Sequence, residues 1–192
     1  MSKPPLRMKP RRRRQGYTDY RKRLALVKSG VERLVVRRTN RRIIVQVVKS
    51  KAKGDNTLIT VFSDVLKQYG WKGSFKSVPA AYLTGLLAGK KALEKGLSKA
   101  IVDIGLFRSV KGSRLYASVK GAIDAGLEIP VDEKVLPEGD RILGKHISEY
   151  VEKIIESPHG YQFIASDKEY LLKLDEEVER IKNLIIGGGQ NE

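Results

Sequence analysis

The spacing of apolar residues changes character along this chain. Residues 1–16 contain almost none and are punctuated by Pro4, Pro5, Pro10 and Gly16, a pattern that predicts an extended arm without a packed face. From Thr18 the pattern turns helical. Tyr20, Leu24 and Val27 follow one another at i, i+4 and i+7, with Thr18 placed as an N-cap and Gly30 as a stop. A short basic helix docked by one apolar stripe is expected there. Three runs rich in Val, Ile and Thr follow, "RLVVRR", "RRIIVQVVK" and "NTLITVF", which read as strands of an antiparallel meander with turns at Asn40 and at Gly54-Asp55. Alternation is imperfect in the second run, as expected for a strand buried on both faces or central in its sheet.

Helical spacing returns after a short helix ending near "QYGWKG". "PAAYLTGLLAGKKALEKG" is framed by Pro79 at its first turn and Gly96 at its end, the usual asymmetry of helix termini. "KAIVDIGL" reads as a continuous apolar strand. "VKGSRLYASVKGAIDAG" reads as a loop and a helix, with Ser113 as N-cap and Gly126 as stop. The expected fold is α/β: a mixed sheet, the antiparallel meander plus an added strand, packed by helices. Beyond it "EIPVDEKVLPEGD" forms a connection to two helical stretches near residues 139–156 and 167–185. Three units are expected: a basic extended N-terminal arm (1–16), an α/β core (17–127) and a helical, acidic C-terminal extension (128–192).

Charge sharpens this division. The net charge is +16, but residues 1–53 hold 19 Lys or Arg against two acids, Asp19 and Glu32. Residues 54–127 hold 11 against five, and residues 128–192 hold eight against 15. A basic end and an acidic end on one chain imply an oriented polyanion partner.

Enzyme signals are weak. There is no cysteine, which removes thiol nucleophiles, disulfides and Cys-based zinc sites and fits an intracellular protein. The two histidines, His146 and His159, lack companions at ligand or triad spacing, and Asp103, Asp124 and Asp140 are scattered. "GLLAGKK" has the wrong spacing for a phosphate-binding loop and lies inside a helix. Its small residues are expected to permit close helix–sheet packing. No stretch is long and apolar enough for a membrane span. No metal, cofactor, small-molecule substrate or membrane partner is expected, and no enzymatic activity.

The strong signal is basic. The first 30 residues carry eleven Lys or Arg against one acid. Clustered cations neutralise phosphates and release counterions, while interleaved Tyr17 and Tyr20 can stack on unpaired bases. The charge continues through Arg33, Arg37, Arg38, Arg41 and Arg42 around the first hairpin, so that hairpin and arm read as one phosphate-binding surface. Lys111 to Arg114, "KGSR", stands before a helix, where backbone N–H groups favour an anion. No helix-turn-helix, zinc finger or basic zipper is present. A folded body with a long arm suits an irregular RNA. The competing readings are a DNA-packaging protein or RNA chaperone without selectivity, and an RNA-modifying enzyme, for which no catalytic pair is found.

"RRRRQGYTDYRKRLALVKSG", "RLVVRRTNRRIIVQVV", "PAAYLTGLLAGKKAL", "DIGL", "KGSRLYASVKGAIDAGLEIP" and "LPEGDRILGKHI" together resemble the archaeal form of large-subunit ribosomal protein eighteen, over residues 9–150. The resemblance implies a cytoplasmic, ribosome-bound structural protein that binds 5S ribosomal RNA and helps attach it to the large subunit in the central protuberance. It also implies contacts with large-subunit ribosomal RNA and neighbouring ribosomal proteins. Carried over by motif, the RNA-contacting positions are Lys9, Arg11, Arg12, Arg13, Arg14, Tyr17, Arg21, Lys22 and Arg23. The hairpin residues Arg37, Arg38, Arg41 and Arg42 and the loop residues Lys111, Ser113 and Arg114 join them. Trp71 and Lys72, in "YGWKG", are expected to support the fold or to meet RNA. The acidic extension is expected to face a basic neighbour, solvent or the protein's own basic core.

Overall fold

Apolar residues at every second position, Leu34 and Val36 in β1 (Arg33–Arg38), Ile43, Val45 and Val47 in β2 (Ile43–Lys51) and Ile59 and Val61 in β3 (Gly54–Phe62), give each strand one apolar face. In the computed structural model, which describes residues 8–9, 11–51, 54–156 and 167–187, these strands pair antiparallel as the expected meander. A short fourth strand, β4 (Ile101–Asp103), adds parallel to β1. The order is β3-β2-β1-β4, which makes β2 an interior strand, as its imperfect alternation predicts. Leu34, Val36, Ile43, Val45, Val47, Ile59 and Val61 enter the core from one face. Strand alternation sends Arg33, Arg37, Gln46 and Thr60 to the other.

Two helices lie near the N-terminus, α1 (Arg11–Arg14) and α2 (Tyr20–Lys28). The sheet is covered on its core face by α3 (Val78–Glu94) and α4 (Arg114–Asp124). Ser77 caps α3, its Oγ accepting the Ala80 N–H at 3.3 Å, and Pro79 lies in the first turn. Every residue from Val78 to Gly89 is buried, so α3 is a central helix enclosed on all sides. Contact with α4 depends on residues without side chains. A Cβ at Gly85 would strike the Ser118 carbonyl, and one at Gly121 would strike the Tyr82 carbonyl. The small residues of "GLLAGKK" therefore serve helix–helix contact, not the helix–sheet contact expected of them.

Residues beyond 138 form α5 (Gly139–Leu143), α6 (Lys145–Glu156), α7 (Lys168–Leu172) and α8 (Leu174–Gly187). Each expected long helix is thus broken once, the first at Gly144, whose φ of 87° is left-handed, the second at Lys173. Val178, Ile181 and Ile185 of α8 belong to the same core cluster as the sheet residues, each contributing roughly 1.5–3 kcal/mol by burial. Lys90 Nζ donates to the Ile185 carbonyl at 2.6 Å and the Ile186 carbonyl at 3.3 Å, placing a cation at the negative end of α8.

Other expectations are corrected. Arg11–Arg14 make a helical turn instead of an extended segment, since straight-chain arginines lose little rotamer freedom in a helix; residues 1–7 and 10 of the arm lie outside the described residues. Asp19, not Thr18, caps α2, its carboxylate accepting the Arg21 and Lys22 N–H groups at 3.0 and 3.1 Å. The stripe on α2 is not docked: no residue of that helix is buried, and Leu24 is 56% exposed. Gly54 and Asp55 are strand residues of β3, paired with Lys51 and Ser50 of β2, and do not form the expected turn; residues 52–53 lie outside the described residues. "KAIVDIGL" contributes only three residues of strand because Gly105, at φ 62°, turns the chain just after Asp103.

Candidate nucleic-acid interface

Three elements present cations. On α1, Arg11, Arg12, Arg13 and Arg14 are all exposed. Arg11 donates to Gln15 and Arg12 to Thr18, at 3.2 and 3.3 Å, and none of the four meets an acid among the described residues. Lys9 is exposed beside them, and Tyr17 is 65% exposed. On α2, Arg21 and Lys22 are exposed, whereas Arg23 pairs with Asp55 at 2.9 Å.

The β1–β2 turn is the second element. Thr39 organises it: its N–H donates to the Arg42 carbonyl at 2.8 Å, and its Oγ1 accepts the Arg41 and Arg42 N–H groups. Arg41 is left exposed at the tip. Arg42 lies 4.8 Å over the Phe62 ring and pairs with Asp64 at 2.8 Å. Arg38 lies 5.2 Å from the centroid of Phe107, which belongs to the third element, the loop between β4 and α4.

That loop carries exposed Arg108 and Lys111 and ends at Ser113, whose backbone is extended and whose buried Oγ has no hydrogen-bond partner among the described residues. Arg114 donates from Nη1 to the Lys76 carbonyl at 3.0 Å. Burial holds the Arg114 guanidinium below the usual arginine range, and the nearby charge of Arg38 lowers it further. The charges of Arg38 and Arg114 thus repel one another, and neither guanidinium has an ion-pair partner among the described residues. Such repulsion is relieved by an anion.

Other expected members take different places. Arg37 and the buried Arg33 share the carboxylate of Asp103, at 2.9 and 2.6 Å, so both are internal ion-pair partners. Trp71 is 3% exposed and meets Tyr170 edge to face, with centroids 6.1 Å apart; its position matches support of the fold. Lys72 reaches Asp167 at 3.4 Å and lies 5.9 Å from the Tyr170 ring centroid, so it ties the body to the extension. Of the histidines, His146 is exposed and His159 lies outside the described residues. Two cations escaped the sequence reading, Lys76 and Arg108. Arg108 stands three residues before Lys111, a spacing that marks the loop as basic earlier than "KGSR" does. Among the described residues no group of three or more His, Cys, Asp or Glu is placed to hold a metal, and no helix is long and apolar enough to cross a membrane.

Comparison with known proteins meets this geometry from the other side. The family model described as "Ribosomal large subunit proteins 60S L5, and 50S L18" matches residues 5–98 and 94–132. The chain belongs to this family. Among its relatives, the large ribosomal subunit protein uL18 of Korarchaeum cryptofilum is 53% identical over 150 residues, spanning 78% of this chain and 77% of the relative. The uL18 of Caldivirga maquilingensis is 45% identical over 188 residues, 94% of this chain and 90% of its own. The uL18 of Methanothermobacter thermautotrophicus is 48% identical over 146 residues, 76% of each. As a member of this ribosomal protein family the chain is a structural constituent, not an enzyme. The family match runs through α1, α2, the hairpin and the Lys111–Arg114 loop alike, so all three cationic elements lie within it.

Proposed function

We propose that this protein binds 5S ribosomal RNA and helps attach it to the large-subunit ribosomal RNA in the central protuberance. The observation that carries the reading is that Arg38, seated over Phe107 of the β4–α4 loop, and Arg114, which follows the same loop, come from separate elements and have no acid partner among the described residues. Phosphates are the natural counter-charge for such a pair, and planar guanidinium groups bind them bidentately. The contact set is Lys9, Arg11 to Arg14 and Tyr17 from the arm, Arg21 and Lys22 from α2, Arg38 and Arg41 from the hairpin, and Lys111, Ser113 and Arg114 from the loop. Arg23 and Arg42 contribute beside their acid partners, while Arg37, Trp71 and Lys72 act through the fold.

The division of labour follows the charge: arm 1–16 for affinity, body 17–127 for shape selection, extension 128–192 for neighbouring ribosomal proteins. RNA repels exposed acids such as Glu176 and Glu179 of α8, which favours a basic protein surface there. The protein acts in the cytoplasm, within the ribosome, without cofactor or small-molecule substrate.

The test is a salt-titrated binding assay with 5S ribosomal RNA and a structured control RNA of equal length, using the full chain and one lacking residues 1–16. A preference for 5S RNA that survives removal of the arm, with a shallower salt slope, supports shape reading by the body. Equal affinity for both RNAs, abolished entirely with the arm, overturns it.

A further inference from the structure

Two acids stand inside the basic face. Asp103 is 6% exposed. Its carboxylate accepts from Arg33 Nη1 at 2.6 Å, Arg37 Nη2 at 2.9 Å and the Gly105 N–H at 2.9 Å. Arg33 turns its other terminal nitrogen to Asp55 at 2.6 Å, and Asp55 in turn holds Arg23 of α2 at 2.9 Å. A chain of alternating charge thus runs from Arg23 through Asp55, Arg33 and Asp103 to Arg37. It joins α2, β3, β1 and β4, and its last member, Arg37 of β1, lies against Gly105 at the start of the β4–α4 loop.

Resting on the RNA-binding reading above, we propose that Asp55 and Asp103 are positioning residues for RNA recognition: they fix α2, the hairpin and the β4–α4 loop in one arrangement, so removing their negative charge weakens selective RNA binding.

Three observations support this. First, α2 has no buried residue, so the Arg23–Asp55 pair is its side-chain ion-pair tie to the sheet among the described residues. Second, Arg37 has its terminal nitrogens occupied by Asp103 and by the backbone carbonyls of Val36 and Asp103. It braces the face from within. Third, the guanidinium of Arg37 lies against Gly105, where a Cβ would come within 2.8 Å of Cζ. The brace therefore seats the loop directly, and two residues further on Phe107 supports Arg38, the neighbour of Arg114. Asp103 acts on the Arg38–Arg114 pair through this path, without touching RNA.

The sign of the effect separates positioning from simple charge. Replacing an acid by its amide makes the protein more basic, which by electrostatics alone strengthens binding to any RNA. Positioning predicts the opposite for the selected RNA. The experiment compares wild type, Asp55→Asn, Asp55→Glu and Asp103→Asn, each checked for folding by circular dichroism, in salt titrations against 5S ribosomal RNA and the structured control. The expected result is an affinity loss of about tenfold for 5S RNA in both amide variants. Control RNA should bind at least as tightly as to wild type, and Asp55→Glu should recover part of the loss. Amide variants that keep the wild-type preference, or gain equally on both RNAs, overturn the positioning role. Because removing one partner of a buried pair can unfold a protein, Asp55→Asn decides alone if Asp103→Asn does not fold. A wild-type chain indifferent between the two RNAs overturns instead the functional reading on which the inference rests.

Discussion

Gly85 of α3 lies directly against the backbone carbonyl of Ser118 of α4, leaving no room for a side chain between the two helices. Gly121 makes the reciprocal approach to Tyr82 from α4. At the far end of the same contact Tyr82 donates its hydroxyl to Asp124 at 2.9 Å; burial, reinforced by that carboxylate, pushes the phenol pKa up. The interhelical distance is set by these glycines, and with it the height of α3 over the sheet.

Gly85→Ala is therefore expected to destabilise the protein despite the better helix propensity of alanine. Overpacking costs about 1–3 kcal/mol, more where backbone cannot move aside, against a propensity gain of up to about 1 kcal/mol. Chemical denaturation of the variant beside wild type measures the difference. Gly187→Ala, with open space around its Cβ position, is the control and should be neutral or slightly stabilising.

Acid should weaken the fold through Asp103. Burial alone raises its pKa, but the bonds and charges of Arg37, the Gly105 N–H and the charge of Arg33 outweigh this and hold the carboxyl below the usual aspartate range. The unfolded chain then takes up this proton at higher pH than the folded one. The stabilisation is complete above the ordinary aspartate value of about 4 and is lost as pH falls through the lower folded value. Thermal melts of wild type and Asp103→Asn should differ at pH 6 and draw together as the pH falls below the ordinary aspartate range.

The single tryptophan offers a check on the extension. Trp71 is buried against Tyr170 of α7, while most backbone signal comes from the other helices and the sheet. Because α8 shares the core cluster with the sheet, fluorescence and circular dichroism should report one coincident denaturant transition. Ile181→Ala, at a fully buried position of α8, should shift both together by about 2–5 kcal/mol.

The arginines of α1 make no ion pair among the described residues, so their replacement tests affinity more than stability. Substituting Arg11 to Arg14 by alanine should leave the melting temperature unchanged within error. It should reduce the slope of log K against log salt by about 0.7–0.9 for each phosphate that is no longer neutralised.

Much of this architecture is legible in the residues themselves. The meander is written in "RRIIVQVVK" and its neighbours because β-branched runs between turn residues have few alternatives, and Pro79 and Gly96 frame α3, whose Ser77 cap the sequence reading did not single out. Partnership is not legible in the same way. Arg33 and Arg37 look like surface cations along the chain, and only the parallel pairing of β4 with β1 places Asp103 between them. An aspartate inside an apolar strand, "IVDIG", is nevertheless a signal of a buried partner, one that disappears when Asp103 is grouped with other scattered acids. On α2 the helical period is correct, but periodicity says nothing of what occupies the apolar face, and Leu24 faces solvent. The glycines of α3 do announce close packing, yet smallness does not name the surface it approaches.

The enclosure of α3 has a consequence for synthesis. Residues on it remain open to solvent until α8 arrives, and 80 positions separate Glu94 from Leu174. At roughly 5–20 residues per second, elongation leaves that central helix incompletely covered for about 4–16 seconds. During that interval the basic N-terminal elements are already complete, so the nascent chain presents its cationic face before its hydrophobic interior is sealed.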